Sequence, residues 1–382
     1  MSSHEISAMA GPDPAVVLHN TDWAALTHAY GPAETTADDL LGLLEEDPEV
    51  QAESLGRLEM SVLHQGSLCS ATAPAALFIA GILSHPRTLA VHESFFPWDD
   101  RVRPLRAALL EWLGQFAESA AWDEEALADP QDADDADALE AVLACRAVRP
   151  EIFDAIAPYL DDQDETVREA ALGAVTYLLA ADDLASRIPA AADRLERIAR
   201  GGGGRRERAG ALLTLAHWGR DTAMLLTDED PAVRTCAALG TTDPSAADVL
   251  LAALADPAAV DGWFEEPLPQ TDGWFRFTVL HGLLERAESL EQILPAALAL
   301  LPLCSQHTVD RDWGPLLAFT FPEPHPAGAA LTPAHSAFLA ALVEQDSCWG
   351  SIANREAWLC KAGLPADRGE LRALVQTAGS RL

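Results

Sequence analysis

The run Asp310-Arg311-Asp312-Trp313 crowds two carboxylates, a guanidinium and an indole into four consecutive positions. Such a pair can divide acid and base roles if burial raises the pKa of one carboxyl. The plainer account is that Asp312 caps the helix that follows. His64 and Gln65 stand before Gly66, where they could trade protons or hydrogen bonds in a groove. They could equally close a helix end with the imidazole packed between elements. His281 follows Trp274 by seven residues, about two helical turns, so the two can share a face. His64, His281, Asp310 and Asp312 are therefore the candidate acid/base residues of an enzymatic reading, a lyase or tailoring activity on a small molecule.

A second set suits binding. The string D-G-W-F occurs at Asp261–Phe264 and again at Asp272–Phe275. Trp263 and Trp274, with Glu265, Glu266 and Asp272, offer π faces beside carboxylates, which attract positive charge. Gln65, Arg311 and Trp313 complete the candidate contacts. The alternative is a loop whose aromatics cover one end of the core. His85, His92, Asp99 and Asp100 share a stretch with Phe95, Phe96 and Trp98. Nothing there has the i, i+4 spacing of a helical metal motif, so the aromatics read as anchors for a long loop. No zinc signature, P-loop, dinucleotide fingerprint or nucleophile elbow is present, and neither a metal nor a cofactor is expected.

Charge narrows the partners. The 382 residues hold 25 Lys+Arg against 60 Asp+Glu, a net charge of −35. Duplex nucleic acid and anionic membranes are both bound largely through Lys and Arg, so neither is expected. Lys361 is the only lysine, a bias that fits a high-GC bacterial genome. A hydrophobic fraction of 49% excludes a disordered acidic polymer. Six scattered cysteines without a CxxC pair suggest reduced thiols. The N-terminus has no basic-then-apolar leader, and the longest apolar stretch, 73–83, is shorter than the roughly 20 residues a membrane helix needs. A cytoplasmic protein is expected.

The elements that position these residues read as helices. Asp164-Glu-Thr-Val167-Arg168-Glu-Ala170-Ala-Leu172 is matched by Asp230-Pro231-Ala-Val233-Arg234-Thr-Cys-Ala237-Ala-Leu239. A weaker copy is Asp47-Pro48-Glu-Val50-Gln51-Ala-Glu-Ser-Leu55, with Gln in place of Arg. The first two start 66 residues apart, twice 33, and Arg206–Leu213 can serve as a degenerate helix between them. A period in the thirties indicates helical hairpins that bury their apolar faces by stacking. Asp suits the cap, Pro the first helical position, and Val167, Ala170, Ala171, Val175 and Leu178 follow helical spacing on one face.

The D-x-x-V-R-x-x-A-x-x-x-L string resembles HEAT repeats, in particular the short PBS-lyase-like variety, over about 149–256 and more loosely over 36–118. The chain also looks similar to bacterial HEAT-repeat proteins of unassigned function that read W-A-x-L-x-H-A-Y-G-P near the start, here Trp23 to Pro32. The resemblance implies an all-α, right-handed α-solenoid with irregular loop insertions. It also implies that Asp164, Arg168, Asp230 and Arg234 form a stacking ladder of ion pairs between adjacent repeats.

Caps and breakers predict helices near 36–46, 49–64, 72–84, 101–118, 136–146, 150–160, 165–180, 188–199, 205–218, 231–239 and 244–255. Further helices are predicted near 273–287, 290–302, 312–319, 333–345, 351–361 and 368–378, with strands absent or trivial. The expected divisions are 1–122 (repeats with an aromatic insertion), 123–137 (an acidic linker loop), 138–256 (regular repeats) and 257–382 (divergent repeats and cap). The leading functional expectation is a binding scaffold whose concave groove takes a basic protein or peptide, or a cationic small molecule, in an inhibitory or immunity-type role. The acid/base enzyme on a HEAT-like scaffold is the alternative.

Overall fold

The computed structural model describes residues 11–121, 133–326 and 328–379. It is all-α in class: 19 α-helices and only two short two-stranded ribbons among the described residues. None of these helices is long and apolar enough to cross a membrane. The chain forms two compact units, Met1–Arg194 and Leu195–Leu382. The boundary between the units falls inside the helix Ile188–Arg197, within the expected segment 138–256. Of the expected linker loop 123–137, residues 133–137 belong to the helix Ala133–Ala147. Residues 122–132 lie outside the described residues.

In the first unit, the helix Leu105–Ser119 packs along Glu165–Leu178, bridging the stretch expected to separate two domains. A Cβ on Gly114 would lie 3.3 Å from the Ala174 backbone, so the two helices approach closely where a side chain is missing. Leu109, Leu113 and Phe116 are buried from one helix, and Val167, Ala171 and Val175 from the other. The helices Pro48–Val62 and Thr72–Ile82 add Leu58, Val62, Phe78 and Ile79 to this core. Fully burying each such side chain contributes about 1.5–3 kcal/mol before entropy is counted.

The second unit is built on the helices Arg205–His217, Pro231–Leu239, Ser245–Ala253, Phe275–Leu284, Leu290–Leu300, Trp313–Thr320, Pro333–Glu344, Ala353–Lys361 and Arg368–Gly379. Its core includes Leu212, Cys236, Leu250, Leu280, Ile293, Trp313 and Phe338.

Helix starts follow the anticipated chemistry. The Oδ1 atoms of Asp47, Asp164 and Asp230 each accept the amide two residues on, at 3.0, 2.8 and 2.9 Å. Two helices escaped the sequence reading, Pro14–Asn20 and Pro257–Asp261. Both begin with the same Asp-Pro signature, and Asp13 and Asp256 cap them. Their shortness hid the periodicity, and the cap was the usable signal.

The two arginines of the expected ladder reach back onto the loops before them. Arg168 donates to the carbonyls of Asp162 and Gln163, at 2.9 and 3.0 Å. Arg234 does the same with Asp228 and Glu229. Each arginine thus clamps the loop six and five residues before it. Gln51 repeats the contact, its Nε2 donating to the Glu45 carbonyl at 2.9 Å. Asp230 also pairs with Arg205 at 2.7 Å.

Candidate functional site

The second unit holds most of the sequence candidates, and the structure gives many of them fixed partners. Asp312 is fully buried, and its Oδ1 accepts the Trp313 amide at 2.7 Å, so it caps Trp313–Thr320. Burial pushes its carboxyl pKa up, against hydrogen bonds from Thr308, the Trp313 amide and Cys304. The raised pKa suits a general acid, but the side chain is sealed from solvent. Asp310 is exposed, yet both of its oxygens are engaged, by Trp358 Nε1 at 2.7 Å and Asn354 Nδ2 at 2.6 Å. Trp313 is buried and donates to the Ser305 carbonyl at 2.9 Å.

The duplicated aromatic loop is strapped down in the same unit. Arg206 donates to the Glu266 carbonyl at 2.6 Å, and Arg205 to the Trp263 carbonyl at 3.5 Å. Glu265, Glu266 and Asp272 are exposed, and Asp272 pairs with Arg311. Trp263 is half-buried beside Phe275, whereas Trp274 is exposed. A cation already lies near the Trp274 ring: the Arg276 guanidinium is 5.5 Å from its centroid and is held by Asp261. His281 is exposed and stands 3.3 Å from Glu285, one helical turn on. Among the described residues, no hydrogen bond or ion pair joins His281 to Asp310 or Asp312.

His64 and Gln65 belong to the first unit, in the tight turn His64–Gly66. Gln65 has φ 51°, the only non-glycine residue in the left-handed region among the described residues. That conformation costs about 1 kcal/mol. The His64 Nδ1 and the Tyr30 hydroxyl are 3.4 Å apart, and His28 Nδ1 accepts the Tyr30 amide at 3.1 Å. The partner of His64 thus lies in the W-A-x-L-x-H-A-Y-G-P string, 34 residues earlier, at a distance spacing alone does not reveal.

The 84–104 stretch is more ordered than a loop anchored by aromatics. Val91–Glu93 pairs antiparallel with Val102–Pro104, placing His92 opposite Arg103 on the inner face. The period-two run Arg101-Val102-Arg103 against Val91-His92-Glu93 was the available signal for this ribbon. Beneath it, Arg101 bonds Asp99 at 2.7 and 2.9 Å and Glu111 at 3.2 and 3.1 Å. Arg103 adds Asp99 at 3.1 Å and Glu111 at 3.0 Å.

Burial alone would raise the Asp99 pKa, but the two guanidiniums outweigh it and hold the carboxyl at about 2. For Glu111 and Glu59 burial wins, and both are pushed up. His92 is pushed down by burial and by the charge of Arg103. No group of three or more His, Cys, Asp or Glu side chains able to hold a metal occurs among the described residues.

No family model matches the chain, and no curated protein matches it. Among solved structures, an engineered protein from the Northeast Structural Genomics Consortium aligns with 91% of this chain and 98% of its own, at 15% identity and a TM-score of 0.29.

Proposed function

We propose that the chain is an array of HEAT-like helical hairpins, stacked as a right-handed α-solenoid, that binds a basic protein or peptide. The repeat reading is supported by the recurrent clamp: Gln51, Arg168 and Arg234 each reach the carbonyl six residues before them, at the start of the matched helices.

The partner reading is carried by how the charges are used. Arginines turn onto the protein's own backbone: Arg106 onto Leu83, Arg208 onto Ala199, Arg286 onto Leu239 and Arg368 onto Val343. Carboxylates meanwhile stay exposed, as at Glu45, Glu46, Asp47 and Glu49 in the first unit and Glu265 and Glu266 in the second. With a net charge of −35, the surface left for a partner is negative. Such a surface speeds encounter with cationic partners and repels nucleic acid. An inhibitory or immunity-type role against a basic protein belongs to this reading. A basic protein is favoured over a cationic small molecule at Trp274, because Arg276 already lies beside that ring.

The test is affinity capture from the cells that make the protein, washed at about 0.05 M and about 0.5 M salt, across which the Debye length falls from roughly 14 to 4 Å. A basic protein in fixed stoichiometry, held at low salt and released at high salt, is expected. Recovery of acidic partners alone, or of nothing whose retention depends on salt, would reject the reading.

A further inference from the structure

We propose that residues 89–104 of the first unit are the docking surface for that partner, which inserts an amphipathic segment carrying arginine or lysine beside leucine- or valine-like side chains; the assignment rests on the basic-partner reading. Five large apolar side chains are exposed within this short stretch: Leu89 at 56%, Val91 at 56%, Phe95 at 50%, Trp98 at 77% and Val102 at 62%. Val91 and Val102 sit on the outer face of the ribbon, because His92 and Arg103 take the inner face and strand side chains alternate. Single exposed hydrophobes are ordinary, whereas a cluster of this kind marks contact surfaces.

The surface is also held in shape. Trp98 stacks on buried Phe96, ring centroids 4.7 Å apart and planes 18° from parallel. Phe95 lies over Gly56 of the helix Pro48–Val62, where a Cβ would be 2.5 Å from its ring. The Arg101, Arg103, Asp99 and Glu111 network fixes the ribbon from below. Anchors fixed before binding lose little entropy when a partner arrives, which is what an aromatic hot spot requires.

Charge selects the occupant. Glu93 and Asp100 are exposed within the same stretch. Arg87, at the foot of the ribbon, reaches the Leu44 carbonyl and pairs with Glu46 at 2.8 Å, bringing the exposed run Glu45, Glu46 and Asp47 to its border. An apolar centre rimmed by carboxylates favours a segment with apolar and cationic side chains together, and the Trp98 face offers a cation–π contact.

The experiment uses the full chain and two labelled synthetic peptides of equal length and charge, one alternating Arg with Leu and the other Arg with Ser, read by fluorescence anisotropy. The Arg/Leu peptide is expected to bind at least ten-fold more tightly. A Trp98→Ser/Val102→Ser variant is expected to erase that preference while keeping its thermal midpoint, since both side chains are exposed. Equal binding of the two peptides, or a preference unchanged in the variant, overturns the docking surface and leaves the basic-partner reading standing. Failure of both peptides to bind at low salt overturns that broader reading as well. Light scattering supplies the last arm: a wild-type dimer that the variant dissolves would assign the surface to a second copy of this chain and overturn the proposed occupant.

Discussion

Arg103 Nη1 lies 3.1 Å from Asp99 Oδ2, and this contact ties one strand of the ribbon to the turn that carries Trp98. The Arg103 side chain is only 10% exposed and its other nitrogen holds Glu111. Two arginines therefore share two carboxylates in a partly dry layer, where losing one partner strands the rest.

Arg103→Met should destabilise the first unit by about 3 kcal/mol, because it leaves Glu111 buried with a weakened partner. Urea unfolding measures this, and adding Glu111→Gln should recover part of the loss. The acid limb carries the sign. Asp99 is depressed from 3.8 to about 2, so its contribution, on the order of 2 kcal/mol, is present above pH 3.8 and fades as pH falls toward 2. In Arg103→Met the stability lost between pH 4 and about 2 should be smaller.

The repeat caps separate two accounts of Asp164 and Asp230. As N-caps, each should cost about 1 kcal/mol when changed to Ala, whatever the salt. Arg205→Ala removes the surface pair with Asp230, in which Arg205 is 45% exposed, and the long 3.5 Å contact with the Trp263 carbonyl, and should cost less than about 1 kcal/mol. Chemical denaturation in low and high salt distinguishes them. A comparable, salt-sensitive loss in all three variants would favour the ion-pair ladder.

Asp312 gives the opposite pH sign from Asp99. Its pKa is raised by burial, so its favourable contribution is complete below about pH 3.8 and declines as pH rises through the folded-state value. Asp312→Asn keeps an acceptor for the Trp313 amide and removes the buried charge. The variant's stability relative to wild type should therefore increase from pH 4 to pH 8, measured by thermal midpoints. A flat difference would show that folding does not raise the Asp312 pKa.

Thiol chemistry reads out the packing. Cys360 is exposed and Cys69 is partly buried, while Cys145, Cys236, Cys304 and Cys348 are buried. Burial pushes Cys145 and Cys348 to about 12 and moves Cys236 and Cys304 upward as well. A disulfide reagent at pH 8 should titrate Cys360 quickly and Cys69 slowly, with the other four released only by denaturant. Rapid labelling of three or more thiols in the native protein would contradict this packing.

Helices and their starts were legible in the sequence because both depend on neighbours within a turn or two. An Asp oxygen meets an amide two residues away, and apolar spacing repeats every three or four positions. The clamp by Gln51, Arg168 and Arg234 spans six residues and lies within the same range. What tertiary structure alone decided lies between distant residues: Tyr30 beside His64, Asp310 held by Trp358, and Arg101 and Arg103 gathered over Glu111. The two-unit division belongs with these, since the carboxylates of 123–137 gave no hint that the helices on either side would pack together. Side-chain pairing across tens of residues depends on how whole elements dock, and packing then determines which acids are buried and which aromatics stay exposed. For that reason Asp312 became a sealed cap, and Trp98, which read as an anchor, became the most exposed apolar side chain of its ribbon.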